Sequence, residues 1–199
     1  MHEVIYGDFH YIPDTLVPEA QMDMTVNPVD LRTHWQRCGL LSDMTAGYIA
    51  YAYSEGMKGH RSAIFSSIST IFQELIENAA RYSRQREAEI KVRVRHYNRV
   101  VQIEVQNDAT PGFAERFESH VKVLMATEDL ESMYIQQMEE QALGNRQAGI
   151  GLLLLLKDYP VKVGVRFVRG GADCETVVVR AHYHMELSEE DLLSGYLAM

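Results

Sequence analysis

Residues 71–83, IFQELIENAARYS, form the stretch that decides the fold of this chain. Apolar side chains recur at three- and four-residue intervals through this stretch and the residues before it. That spacing is the period of an amphipathic helix, so it predicts one long helix with its apolar face in the core. The apolar positions are Ile64, Ile68, Ile71, Phe72, Leu75, Ile76 and Ala79.

Two polar side chains of this helix, Glu74 and Asn78, are four residues apart and therefore project from the same side. A carboxylate can accept a proton from an attacking hydroxyl group or water, and an amide oxygen is a hard neutral ligand suited to magnesium. The pair is therefore a candidate for a catalytic base beside a metal ligand. A solvated polar stripe is the alternative, because charged side chains are mostly exposed.

The segment 74–79, ELIENA, resembles the first motif of the GHKL (Bergerat-fold) ATP-binding superfamily. This superfamily includes histidine kinases, gyrase-type ATPases and serine kinases that act as anti-sigma factors. The resemblance implies that Glu74 is the catalytic base and that Asn78 holds magnesium on ATP. Arg81, near the end of the predicted helix, is a candidate phosphate contact.

A second segment, residues 105–113, VQNDATPGF, resembles the V-x-D-x-G-x-G motif of the same superfamily. There the aspartate hydrogen-bonds the exocyclic amine of adenine. In this chain Asn107 occupies the aspartate position and Asp108 follows one place later, so either is a candidate adenine contact. The side-chain carbonyl oxygen of an asparagine can accept a hydrogen bond from this amine. The alternative is a plain turn, since Asn, Asp, Pro and Gly are ordinary turn residues.

A third segment, residues 144–152, GNRQAGIGL, resembles the G-x-G-L box of the superfamily. Gly149 and Gly151 precede a predicted helix that begins at Leu152. Free backbone amides and the positive end of the helix dipole would then face a phosphate group. The resemblance implies a phosphate cradle formed by these three residues. A helix start packed tightly on a neighbouring element explains the glycines equally well.

Composition limits the class of protein. The 199 residues are 46% hydrophobic and 24% charged, as in a globular domain of ordinary size. The net charge of −9 argues against a nucleic-acid partner, which needs a concentrated basic surface. Apolar runs are too short to cross a bilayer, and the first residues do not form a secretory signal. We expect a cytoplasmic protein without a membrane partner.

The hydrophobic pattern together with the resemblance predicts an α+β fold, a two-layer α/β sandwich of the Bergerat type. Its sheet is expected to be mixed, mostly antiparallel and packed on helices. Three parts are expected: an N-terminal strand and helix elaboration in residues 1–60, the ATP-binding domain in residues 61–185, and a C-terminal helix in residues 186–199. Strands are predicted in 2–12, 22–26, 88–95, 100–105, 161–168 and 176–183, and further helices in 113–126, 130–143 and 152–159.

Several local features of the N-terminal third and the last strands lead to narrower expectations. Asn27 and Pro28 should begin a helix that stops near Gly39, and Ser42 or Asp43 should begin the next. A two-residue turn at 170–171 should join the last two strands. Aromatic side chains in the first third predict a core or a partner interface rather than a ligand cage. These are Trp35, Tyr48, Tyr51 and Tyr53.

The resemblance implies an ATP-binding, magnesium-dependent, kinase-like protein of a bacterial partner-switching system. It would phosphorylate a serine or threonine of a protein partner such as an anti-sigma factor antagonist. The alternative is a non-catalytic interaction module that keeps the fold and has lost tight nucleotide binding. The altered adenine motif and two predicted helices in place of the ATP lid motivate this alternative. Whether the chain is an enzyme, and whether it forms a homodimer, stays open at this stage.

Overall fold

The computed structural model describes residues 2–52, 58–84, 88–142, 150–170 and 174–185. Across these residues the chain forms six strands and six helices. The strands are β1 (His2–Gly7), β2 (Ala20–Val26), β3 (Ile90–Tyr97), β4 (Val100–Ala109), β5 (Val161–Arg169) and β6 (Glu175–His184). The helices are α1 (Pro28–Thr33), α2 (Gln36–Ala50), α3 (Lys58–Tyr82), α4 (Pro111–Ala126), α5 (Leu130–Ala142) and α6 (Ile150–Asp158).

All six strands belong to one sheet in the order β1-β5-β6-β4-β3-β2. The α+β class and the two-layer α/β sandwich predicted from the sequence are confirmed. Each pairing among the described strands is antiparallel, whereas the prediction had allowed mixed pairing. The first residues of the chain supply both edges of the sheet, because β1 pairs with β5 and β2 pairs with β3.

Helix α3 carries the apolar face that the sequence predicts. Its side chains at the predicted positions are buried against the sheet and α2. Those of Ile68, Ile71, Phe72 and Ile76 are completely buried. Each such side chain contributes about 1.5–3 kcal/mol to folding, which makes α3 the centre of the core.

The N-terminal helices differ from the prediction at one boundary. Asn27 caps α1 as expected, because its side-chain oxygen accepts hydrogen bonds from the amides of Val29 at 2.8 Å and Asp30 at 3.3 Å. The predicted stop near Gly39 and the predicted start at Ser42 or Asp43 are wrong, since α2 continues through both positions. A glycine in a helix interior costs only about 1 kcal/mol, and the buried face of α2 against α3 outweighs it.

The aromatic residues of the first third lie at the surface. Trp35, Tyr48 and Tyr51 are all exposed, so the core interpretation is wrong for these three. The partner-interface interpretation of them stays a prediction. Tyr53 lies outside the described residues.

Strand β4 is longer than the sequence indicates. It continues to Ala109 because it pairs with β6 as far as Glu175, so Asn107 and Asp108 lie in a strand. The plain-turn alternative for these two residues is therefore wrong. The connection between β5 and β6 spans residues 170–174 rather than a two-residue turn, and residues 171–173 are outside the described part. The expected C-terminal helix, 186–199, is outside it as well.

In the part of the chain that the structure describes, none of the helices has the length and apolar character required to cross a membrane.

Candidate functional site

The first and third motifs meet where α3 packs against α6. Gly151 is the second residue of α6 and is buried. A methyl group at this position would lie 2.1 Å from Oε2 of Glu74 and 3.1 Å from Nδ2 of Asn78. The close approach of the two helices therefore requires glycine at position 151. Gly149 lies outside the described residues, and its phosphate contact stays a prediction.

A small cavity lies beside this contact. Its volume is about 30 Å³, which is room for a water molecule, whereas pockets for small molecules measure about 300–1,000 Å³. Five elements contribute to its wall: α3, β4, α4, α6 and β6. The lining residues are Leu75, Asn78, Ala79, Tyr82, Val105, Asn107, Phe113, Phe117, Leu152, Val177 and Val179.

Asn107 brings the second motif to the same cavity. Its side chain is only 6% exposed, and its Nδ2 has no hydrogen-bond partner within the described part of the chain. Asp108 is on the opposite face of β4, because successive side chains of a strand alternate. Its carboxylate accepts a hydrogen bond from Thr176 at 2.8 Å instead. Of the two candidate adenine contacts, only Asn107 lines the cavity.

An aromatic stack of Tyr82, Phe113 and Phe117 forms one wall of the cavity. The rings of Tyr82 and Phe113 are parallel to within 12°, with centroids 4.1 Å apart. Phe117 continues the stack at 5.9 Å and also contacts Phe167 of β5. Both phenylalanines lie in the helix predicted over residues 113–126, but they were not predicted to belong to the site. Their spacing of four residues directly after the second motif is the signal that could have done so.

Helix α4, which carries these phenylalanines, is fixed to the sheet by a buried carboxylate. Glu118 accepts a hydrogen bond from the hydroxyl of Tyr6 at 2.6 Å, and it pairs with Arg169 and, at 3.3 Å, with Lys122. Burial alone would raise the pKa of Glu118, but these hydrogen bonds and the charge of Arg169 outweigh it and lower the pKa. Tyr6 is 112 residues away in sequence, so no local pattern indicates this contact.

The electrostatic environment of Glu74 suits a base. Burial raises the pKa of Glu74, the neighbouring carboxylate of Glu77 raises it further, and the charge of Arg81 opposes both effects. A carboxylate with a raised pKa accepts a proton more readily near neutral pH. Arg81 itself is exposed, with its guanidinium 5.9 Å from the centre of the Tyr82 ring. It is not among the residues that line the cavity.

The oxygen donors beside the cavity fit one kind of metal ion. Among the described residues, no group of three or more His, Cys, Asp and Glu side chains is placed to hold a metal. Magnesium on a nucleotide does not need such a group, since one or two protein oxygens join phosphate oxygens and water. The amide oxygen of Asn78 is of the kind suited to that role. His182 and His184, two residues apart on β6, lie against the ring of Tyr11.

No protein-family model matches this chain, and a search of curated proteins finds no match. The resemblance to the GHKL superfamily rests on the three motifs described above and stays a prediction.

Proposed function

We propose that this chain is an ATP-binding, kinase-like protein of a signalling switch. The observation that carries the proposal is the convergence of three distant segments on one cavity. The cavity wall includes Asn78 from α3, Asn107 from β4 and Leu152 from α6, and Glu74 contacts Gly151 beside it. These are the residues that correspond to the three motifs of the GHKL superfamily, and chance similarity would not require them to be neighbours in space.

Each of these residues has a chemical role in the proposal. An amide presents a donor and an acceptor side by side, which matches the amine and ring nitrogen on the edge of adenine, so Asn107 would contact the base. Asn78 would hold magnesium, and the amides at the start of α6 would face the phosphates. ATP supplies the phosphoryl group that is transferred. Glu74 would accept the proton from a serine or threonine hydroxyl of the partner protein.

ATP binding at this site requires the aromatic stack to move. A cavity of about 30 Å³ does not hold a purine base. Displacing Phe113 from its neighbours costs roughly 1.5–3 kcal/mol of apolar burial. The affinity for ATP is reduced by the same free energy, because only the open state binds the ligand. We therefore expect binding that is weaker than the contacts alone would provide.

A thermal-unfolding titration with magnesium and ATP tests the binding step. A ligand that binds only the native state raises the unfolding temperature as its concentration passes the dissociation constant. We expect a rise that depends on magnesium and is lost in the Asn78→Ala variant. The control variant is Asp108→Asn. Asp108 follows Asn107 in β4, but its side chain is on the face away from the cavity, so this variant should keep the rise. No rise at about 10 mM ATP would overturn the proposal.

The transfer step is tested separately with Glu74→Gln. This variant keeps the size of the side chain and removes the base, so we expect normal stabilisation by ATP and loss of phosphoryl transfer to a protein partner. The expected class of partner is a protein with an acceptor serine or threonine, such as an anti-sigma factor antagonist. Turnover equal to that of the unaltered protein would refute the role of Glu74.

The small cavity favours a second candidate, a non-catalytic interaction module of the same fold. In this case the aromatic stack is a permanent part of the core, and the polar residues at the site are remnants of a nucleotide site. If the chain is such a module, ATP should leave its unfolding temperature unchanged at any magnesium concentration. Glu74→Gln should also leave the cellular activity of the protein unchanged.

A further inference from the structure

Helix α2 and Tyr51, which follows it, present an apolar face that is exposed within the described part of the chain, with the guanidinium of Arg61 4.3 Å from the centre of the Tyr51 ring. Leu40, Met44, Tyr48 and Tyr51 are 68%, 53%, 53% and 76% exposed. They lie on one side of the helix, since they follow one another at intervals of four, four and three residues, and we call them the α2 stripe. The opposite side of α2 is buried against α3. Single exposed apolar residues are ordinary, but a contiguous group of large ones marks an interaction surface.

The geometry of the α2 stripe suits a second copy of the same helix. Leu40, Met44 and Tyr48 are spaced at i, i+4 and i+8 and form one ridge along the helix. Two such ridges interdigitate at a crossing angle of about −50°, the commonest class of helix packing. A two-fold axis near Met44 would bring Leu40 of each copy against Tyr48 of the other, so the surface is complementary to itself.

A small residue improves this fit. Gly47 lies at the edge of the α2 stripe, where a methyl group would be 3.8 Å from the ring of Phe65 on α3. Together with Tyr48 and Tyr51 it lines an open groove that continues towards β2. The groove can receive the side chain of Leu40 from the other copy, because glycine leaves room on the helix surface.

The charge distribution also favours a second copy of this chain as the partner at the α2 stripe. The chain carries a net charge of −9, so two copies repel one another over most of their surfaces. The α2 stripe contains no carboxylate. Arg37, the charged residue one turn before Leu40, is paired with Asp30 at 2.6 Å. Two copies meeting at this face therefore avoid the repulsion that other orientations would suffer.

The available area is that of a reversible dimer. Taking about 150–250 Å² per side chain, the range for aromatic ones, the exposed fractions correspond to roughly 500 Å² of largely apolar surface per copy. Two copies would bury on the order of 1,000 Å² from these residues and somewhat more with the polar rim, near the lower limit for specific interfaces. Area alone does not set affinity, and for an interface at this lower limit we expect weak, reversible association with a dissociation constant on the order of micromolar.

We propose that the α2 stripe is a homodimer interface in which two α2 helices pack antiparallel across a two-fold axis. The α2 stripe contains none of the residues that line the cavity, so dimerisation is independent of the proposed function.

Sedimentation of the full chain tests the proposal. Over protein concentrations of about 1–100 µM, the average mass should rise from 22.7 kDa towards twice that value, as a micromolar dissociation constant requires. The Leu40→Glu/Met44→Glu variant should remain monomeric. Both changes are at exposed positions, so the fold should persist. The matched control is Val123→Glu/Ile135→Glu, at two exposed apolar positions on α4 and α5, which should dimerise normally.

Cross-linking tests the position of the two-fold axis. Met44→Cys in a Cys174→Ser background should form a disulfide-linked dimer on mild oxidation. Position 44 lies near the two-fold axis and therefore faces position 44 of the other copy. Ile135→Cys in the same background should not. A chain that stays monomeric at about 100 µM overturns the proposal and assigns the α2 stripe to a different protein partner. So does a dimer that survives Leu40→Glu/Met44→Glu, or equal cross-linking of the two cysteine variants.

Discussion

The Asn107→Leu variant tests whether the polar side chain of Asn107 in the cavity serves to bind a ligand. The Nδ2 of Asn107 has no hydrogen-bond partner within the described residues, although the side chain is almost completely buried. A buried polar group in this state costs about 1–3 kcal/mol. Leucine has the same number and branching of side-chain heavy atoms, and the cavity beside Val105 and Phe113 can accommodate its larger volume.

We expect Asn107→Leu to stabilise the ligand-free protein. Recovery of the desolvation cost should raise the free energy of unfolding by about 1–2 kcal/mol. In a chain of this length each kcal/mol moves the unfolding temperature by roughly 2–4 °C. In urea, where the slope is about 2 kcal/mol/M, the midpoint should move by roughly 0.5–1 M.

ATP should reverse the order of stabilities. At about 100 times its dissociation constant, ATP adds about 2.7 kcal/mol to a protein that binds it. The unaltered protein should gain this stabilisation and the Asn107→Leu variant should not. The matched control is Asp108→Leu, one residue further on the opposite face, which loses the hydrogen bond from Thr176. That variant should lose about 1 kcal/mol of stability and keep its response to ATP.

Two results would refute the reasoning about Asn107. A ligand-free variant less stable than the unaltered protein would mean that the amide is satisfied and structural. A variant that keeps the full ATP response would mean that the base is recognised elsewhere.

Three further predictions concern the aromatic stack, the helix contact and a buried histidine. Phe113→Ala should tighten ATP binding in calorimetry while lowering stability by about 2 kcal/mol, and weaker binding would contradict the need for displacement. Gly151→Ala should lower the free energy of unfolding by about 1–3 kcal/mol, because its methyl group meets the carboxylate of Glu74. In a double-variant cycle, adding Glu74→Ala should recover most of that loss. Burial, helped by the charge of Arg180, lowers the pKa of His182 from 6.5 to about 4. As the pH falls through 6.5, His182 binds a proton in the unfolded chain but not in the folded chain. The free energy of unfolding should therefore fall by about 2 kcal/mol between about pH 7 and pH 5. In urea unfolding, His182→Gln should lack this contribution, and an unchanged pH dependence would count against the lowered pKa.

Local sequence patterns determined much of the fold. The helical period in residues 64–79 predicted the buried face of α3, and the order Asn27, Pro28 predicted the start of α1. Alternation predicted the strands on either side of residue 98. These features follow from contacts between residues close in sequence, from capping of free amides and from the two-residue period of a strand.

The tertiary structure decided the features that depend on distant partners. Pairing with β6 extended β4 and so selected Asn107 over Asp108 as the residue that lines the cavity. Packing on α3 carried α2 through Gly39 and left its other face exposed.

Within the site, residues 74–79, 107 and 151–152 were each named from the sequence, but their distances from one another were not. Gly151 meets Glu74 across more than seventy residues of chain, and Glu118 meets Tyr6 across 112. The period of a helix or strand specifies which side a residue faces and carries no information about which element lies opposite. For that reason the sequence by itself determined the identity of the candidate site residues. Only the tertiary structure decided that they lie together, with Asn78, Asn107 and Leu152 on the wall of one cavity that aromatic side chains nearly fill.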